Sequence, residues 1–168
     1  MSLDELNHLD RARVESELLR CCGSRRWAEA LALSRPFADP SGLFAKADAS
    51  WRELSSEDWL EAFSRHPRIG AKTGAKIGPG LGSAQWASDE QKGAAAAPES
   101  VLSRLAAGNA AYERRFGYIF IVCATGKSAE EMLALLESRI RNQPDQELLI
   151  AATEQVKITR IRLEKLLS

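Results

Sequence analysis

Only two histidines and three cysteines occur among the 168 residues. The histidines, His8 and His66, and the scattered Cys21, Cys22 and Cys123 have no zinc-ligand spacing, so no metal site is expected. Adjacent cysteines such as Cys21 and Cys22 seldom pair, and an odd total makes no disulfide framework. The thiols are therefore expected to be reduced and the chain cytoplasmic. Cys123 lies inside the apolar run YIFIVCA and reads as a small buried hydrophobe rather than a nucleophile. An excess of one charge is also lacking, since 23 Lys and Arg balance 23 Asp and Glu. That balance gives no reason to expect nucleic acid or a membrane surface as a partner. No apolar run approaches the ~20 residues of a membrane span. The opening residues, MSLDELNHLDRARVE, have neither a basic flank nor an apolar stretch, so no secretory leader is expected.

What is present is a chain with 45% hydrophobic residues, enough to build a core. There is no internal repeat and no long linker, so one domain over residues 1–168 is expected. Helix signals dominate. Apolar spacing predicts helices over 9–22 and 27–33, and Asp39 with Pro40 opens a third that runs to about residue 54. Ser55-Ser56-Glu57-Asp58 reads as a cap with acids in the first turn. The helix it starts must end near His66, because the residue before Pro67 avoids helical backbone. Residues 68–83, with five glycines and a proline, read as a loop. Further helices are expected over 87–93 and 98–116, from the Ser128 capping box to about residue 141, and from Pro144 to Leu167. Tyr118 to Ala124 reads as a short extended segment. The expected fold is all-α, a bundle of about eight helices with at most one or two very short extended segments.

His66 is the best candidate for chemistry. It sits where a helix runs into a rigid proline, and imidazole titrates near neutrality, so it can give or take a proton at working pH. The plain alternative is a helix-end histidine bonded to backbone. Glu90 and Gln91, near the start of a helix, could orient a neutral polar substrate, or could be an ordinary charged first turn. Arg162 could hold a carboxylate or a ring carbonyl, or could be a solvated helix charge. Its neighbours Ile158, Ile161 and Leu163 are apolar. An arginine in such surroundings needs a partner, either a protein carboxylate or the substrate.

Taken in order along the chain, these residues resemble a known family. The matching positions are Arg35-Pro36-Phe37, His66-Pro67-Arg68-Ile69-Gly70, Glu90-Gln91, Gly108-Asn109, Tyr112 and Phe116-Gly117. They continue through Phe120 to Ala124, Gly126-Lys127-Ser128 and Arg162-Leu163. Together they cover nearly the whole chain and resemble the 2-oxo-4-hydroxy-4-carboxy-5-ureidoimidazoline (OHCU) decarboxylases, enzymes of urate breakdown that form allantoin. The resemblance implies that His66 is the catalytic histidine, with Glu90 and Arg162 beside it in the active site. It implies that Pro67 lines the substrate site and that residues Ala87, Ser88, Asp89, Glu90 and Gln91 form a substrate-contacting segment. It implies that the backbone of Phe120, Ile121, Val122, Cys123 and Ala124 contacts the ureidoimidazoline. At residue 87 the family usually has serine; here Ala87 stands with Ser88 beside it, which puts one substrate hydrogen bond in question.

The resemblance further implies a homodimer that acts on a small molecule. No cofactor is expected, because the substrate carries an imine beside the carbon that loses carbon dioxide and can take the electron pair itself. The expected reaction gives (S)-allantoin, with His66 as proton donor, Glu90 orienting the imidazole or holding the ureido group, and Arg162 on the anionic or oxo end. Two other readings stay open: a sister decarboxylase acting on a related ureido acid, and a non-catalytic helical interaction module.

Overall fold

The computed structural model describes residues 1–70, 84–95 and 97–168. Among these residues the chain forms α1 (Leu3–His8), α2 (Arg11–Cys21), α3 (Arg25–Leu33), α4 (Pro40–Arg52) and α5 (Ser56–Ser64). These are followed by α6 (Ala84–Glu90), α7 (Lys92–Ala95), α8 (Glu99–Phe116), α9 (Ala129–Arg139) and α10 (Pro144–Leu166). The all-α expectation holds. The helix count exceeds the expected eight for two local reasons. Ser2 forms a capping box with Glu5 and starts an extra helix, and Asp10 caps a new one at Arg11 where a single helix from residue 9 was expected. The segment after residue 84 is also broken into two short helices at Gln91. Most of the predicted loop over 68–83 lies outside the described residues.

The caps follow the sequence chemistry. Serine side chains of Ser55 and Ser128 accept from the third helical N–H, and Asp58 and Glu131 return the bond to the cap backbone. Gly117, at φ 81°, ends α8 in the left-handed region that favours glycine. Arg35 donates to the carbonyls of Leu6, Asn7 and Leu9 at 2.7–3.2 Å, satisfying the orphan acceptors at the end of α1. The Arg35-Pro36-Phe37 signature thus ties the first helix down, with Asn7 bonding both main-chain groups of Phe37.

Two buried clusters form the interior. One gathers apolar residues of α1 to α5 and α10, including Leu18, Trp27, Leu43, Phe63 and Leu163. The other gathers Ile69, Leu105, Tyr112, Met132 and Leu136, where α8 packs on α9. Residues 120–124 join the two. Ile121 and Cys123 belong to the first cluster, and Phe120, Val122 and Ala124 to the second. This alternation is the period-2 habit of extended chain. The segment is neither helix nor sheet, so its polar backbone must be satisfied otherwise. Arg139 donates to the Ile121 carbonyl at 2.8 Å; Glu154 accepts the Cys123 N–H at 2.8 Å; Lys127 donates to the Cys123 carbonyl at 2.8 Å. Arg139 is itself held by the fully buried Glu147, which also accepts from Tyr112 and from Asn142.

Candidate active site

The end of α5 places His66. Ser64 closes the helix, Arg65 caps it, and the His66 N–H donates to the Phe63 carbonyl at 3.1 Å. The residues after it are fastened one by one. Arg68 makes a double contact with Glu113, and the Ile69 carbonyl accepts from the buried Asn109 at 2.9 Å. The Gly70 N–H donates to the Gln91 side chain at 3.2 Å, and Gly70 holds a φ of +73° that favours glycine. The His-Pro-Arg-Ile-Gly signature is therefore a rigid bracket. Arg68 and Ile69 are both bonded to α8 and Gly70 to Gln91, and the bracket fixes the angle at which the imidazole stands.

A cavity open to solvent lies against this bracket. His66, Pro67 and Ile69 form one wall, and Glu90 and Gln91 at the end of α6 form another. Phe120, Ile121, Val122, Ala124 and Thr125 supply a third, and Ile158, Ile161 and Arg162 of α10 close it. Among the described residues, no protein group bonds the N–H or carbonyl of Val122, while the Ile121 carbonyl and both main-chain groups of Cys123 are engaged as described.

Arg162 is 4% exposed and meets Glu90 with both forks, Nε to Oε1 at 2.9 Å and Nη2 to Oε2 at 2.8 Å. Of the two partners open to this arginine, the structure supplies the protein carboxylate. His66 is held by Gln155: its Nε2 lies 2.6 Å from Gln155 Oε1. Burial, followed by the positive charge of Arg162, pushes the imidazole pKa down to about 3, so the ring is neutral at working pH. Burial also raises the thiol of Cys123, in keeping with an inert hydrophobe.

The structure thus brings together His66, Pro67, Glu90, Gln91, Phe120, Ile121, Val122, Ala124 and Arg162. It does not bring Ser88, Asp89 or the Cys123 side chain to the cavity wall. Ser88 is exposed, Asp89 pairs with Lys92 at 2.9 Å, and Cys123 faces the first cluster. Ala87 lies on α6, and its side chain falls outside the described residues. Glu90 was expected to orient the imidazole or hold the ureido group; Gln155 does the first, and Glu90 pairs with Arg162. Gln155 was missed by sequence reasoning. Its signal was available: residues 147, 151, 152, 155, 158, 159, 162, 163 and 166 form the buried face of α10, and Glu147, Gln155, Thr159 and Arg162 are the polar members of that stripe.

A sequence model described as OHCU decarboxylase matches residues 7–164. The chain is 38% identical over 154 residues to the uric acid degradation bifunctional protein TTL of Arabidopsis thaliana, covering 92% of this chain and 47% of that protein. It is 24% identical to the 2-oxo-4-hydroxy-4-carboxy-5-ureidoimidazoline decarboxylase of Haloferax volcanii, over 97% of this chain and 94% of that one. The chain spans about half or less of the first curated relatives it matches, the other being the bifunctional protein PucL of Bacillus subtilis, of which it covers 33%. Among solved structures, an OHCU decarboxylase crystallised in the presence of (S)-allantoin superposes with a TM-score of 0.77 at 37% identity, covering 90% of this chain and 97% of that one. With the family model matched along nearly its whole length, the chain belongs to the OHCU decarboxylase family.

Proposed function

We propose that the protein decarboxylates 2-oxo-4-hydroxy-4-carboxy-5-ureidoimidazoline to (S)-allantoin, without a cofactor, as one catalytic domain over residues 1–168. The observation that carries this reading is the convergence of a neutral imidazole, a buried guanidinium–carboxylate pair and the unbonded N–H and carbonyl of Val122 on one cavity.

The chemistry asks for these groups. The bond from the carboxylate to ring carbon 4 breaks and carbon dioxide leaves. The electron pair enters the bond between ring carbons 4 and 5, and the imine pair moves to nitrogen, which takes a proton. The enol that results loses its hydroxyl proton and gains one at carbon 5. Starting from the carboxylate, one proton is taken up in all. His66 is neutral, so it suits a relay: it accepts the hydroxyl proton and returns it to one face of carbon 5. Its role as proton donor is then the second half of that exchange. Delivery to one face gives a single enantiomer.

Arg162 uses Nε and Nη2 on Glu90, which leaves Nη1 to face the anionic or oxo end of the substrate. Glu90 keeps that guanidinium flat and accepts ureido N–H groups on its outer lone pairs. The N–H and carbonyl of Val122 pair with the edge of the ring, with Phe120 and Ala124 framing it. We extend the proposal to a cytoplasmic homodimer; the family resemblance supports the dimer, and the three free cysteines support a reducing compartment.

The test is to add the protein to freshly oxidised urate. The expected result is rapid loss of the imine ultraviolet absorbance with appearance of one-handed allantoin by circular dichroism. Decay no faster than in buffer would overturn the reading, and preference for a related ureido acid in a substrate panel would redirect it to that acid.

A further inference from the structure

We infer that Gln155 is a positioning residue that locks His66 as its Nε2–H tautomer, which makes Nδ1 the nitrogen that moves the proton. The inference rests on the decarboxylase reading for which proton is moved, but the tautomer itself follows from geometry alone.

The two residues are 89 positions apart and meet at 2.6 Å, His66 Nε2 against Gln155 Oε1. An amide oxygen can only accept, so Nε2 must carry the hydrogen. With the ring neutral, Nδ1 is then the lone-pair nitrogen. Gln155 has no exposed surface and is not part of the cavity wall, whereas His66 is part of that wall. The Nε2 edge is thus spent on the protein interior, and Nδ1 is the ring nitrogen left for a ligand.

The amide orientation follows from the short contact itself: the reversed amide would set an N–H on a nitrogen lone pair at 2.6 Å, too close for that pair. On its far side Gln155 Nε2 donates to Thr159 Oγ1 at 3.1 Å, one turn along α10. The donors therefore run in one direction, from His66 through Gln155 to Thr159. Both partners are uncharged. Gln155 therefore fixes the ring without supplying the negative charge that would hold a proton on Nδ1, and the imidazole stays ready to receive one.

The test uses the full-length chain with His8→Asn, which leaves His66 as the one histidine to observe. Ring-nitrogen NMR near neutral pH, without substrate, should show a protonated Nε2 and a lone-pair Nδ1. Gln155→Met keeps the length of the side chain and removes the acceptor. It should lose that one-sided signature and lower kcat by ~10-fold or more, while KM changes little. Gln155→Glu restores an acceptor and should restore the Nε2–H, with its charge holding a proton on Nδ1 as well. A protonated Nδ1 in the parent chain overturns the inference, even where the Met variant does not fold. A Met variant that keeps kcat overturns it too, as does one that loses kcat with the signature intact. Because the spectrum is read without turnover, a chain with the expected tautomer and no decarboxylase activity refutes the proposed reaction and leaves the tautomer assignment standing.

Discussion

Glu90 and Arg162, 72 positions apart, form a two-pronged ion pair in which the side chains are 10% and 5% exposed. The pair joins α6, which precedes the second cluster, to α10, which packs on α2 and α4. It is therefore a strut of the fold as well as a wall of the cavity. Removing one member leaves the other buried and unpaired, which costs about 3–5 kcal/mol. Arg162→Ala is expected to lose stability of that order in urea unfolding. Arg162→Lys keeps the charge but cannot reproduce the planar fork, so it should retain much of the stability and little of the activity. Replacing both partners, Glu90→Gln with Arg162→Met, should recover stability without recovering activity. If the lysine variant turns over at the parent rate, the guanidinium serves the fold alone.

The histidine links activity to acid stability. Its folded pKa lies below the ordinary value of 6.5, so the unfolded chain binds a proton that the folded one refuses. The stabilisation is full above pH 6.5 and is lost as pH falls toward 3, with a slope of at most ~1.4 kcal/mol per pH unit. His66→Asn should flatten the fall in stability between pH 6.5 and 5, above the range where most carboxylates titrate, and should lower the rate by ~10²-fold or more. Identical stability profiles for the two proteins over that window would mean that His66 ionises freely in the folded state.

Gly93 offers a test of how tightly α7 seats the cavity wall. A Cβ built there would lie 2.0 Å from the Lys127 carbonyl oxygen, a backbone atom that cannot swing aside. Gly93→Ala should therefore push α7 away from the turn that follows residue 124. The expected cost is about 1–3 kcal/mol of stability. Substrate KM should rise with it, because Glu90 and Gln91 immediately precede α7. An alanine variant with the parent melting temperature would mean that α7 already stands off from that turn.

The helices were legible in the sequence wherever a cap and an apolar stripe coincided, as at Ser55, Ser128 and Pro144. They were misread where the stripe was short: the six residues of α1 rest on one buried leucine, Leu6, and a capping box. The site was legible as a set of residue types, since His66, Glu90 and Arg162 do share one cavity. Their pairings were not. Whether Glu90 meets His66 or Arg162 depends on how α6 is rotated over α10, and no local periodicity encodes that. The distinction between Val122, which keeps free main-chain groups, and Cys123, whose groups are tied, depends on Glu154 and Lys127 both reaching Cys123, one at its N–H and the other at its carbonyl.

Residues 118–124 have one more consequence, outside catalysis. The stretch Tyr-Ile-Phe-Ile-Val-Cys-Ala carries no charge, no proline and no glycine. Such a segment, released from its fold, is a ready template for cross-β stacking with copies of itself. In the native chain, bonds with Arg139, Glu154 and Lys127 take the place of a neighbouring strand, and the unbonded Val122 groups are the ones a second copy could seize. The three charged side chains then act as guards against fibril formation. Glu154→Ala is expected to increase thioflavin-positive aggregate during refolding at high protein concentration, and Val122→Lys to suppress it. Equal aggregation in all three proteins would place the vulnerable segment elsewhere in the chain.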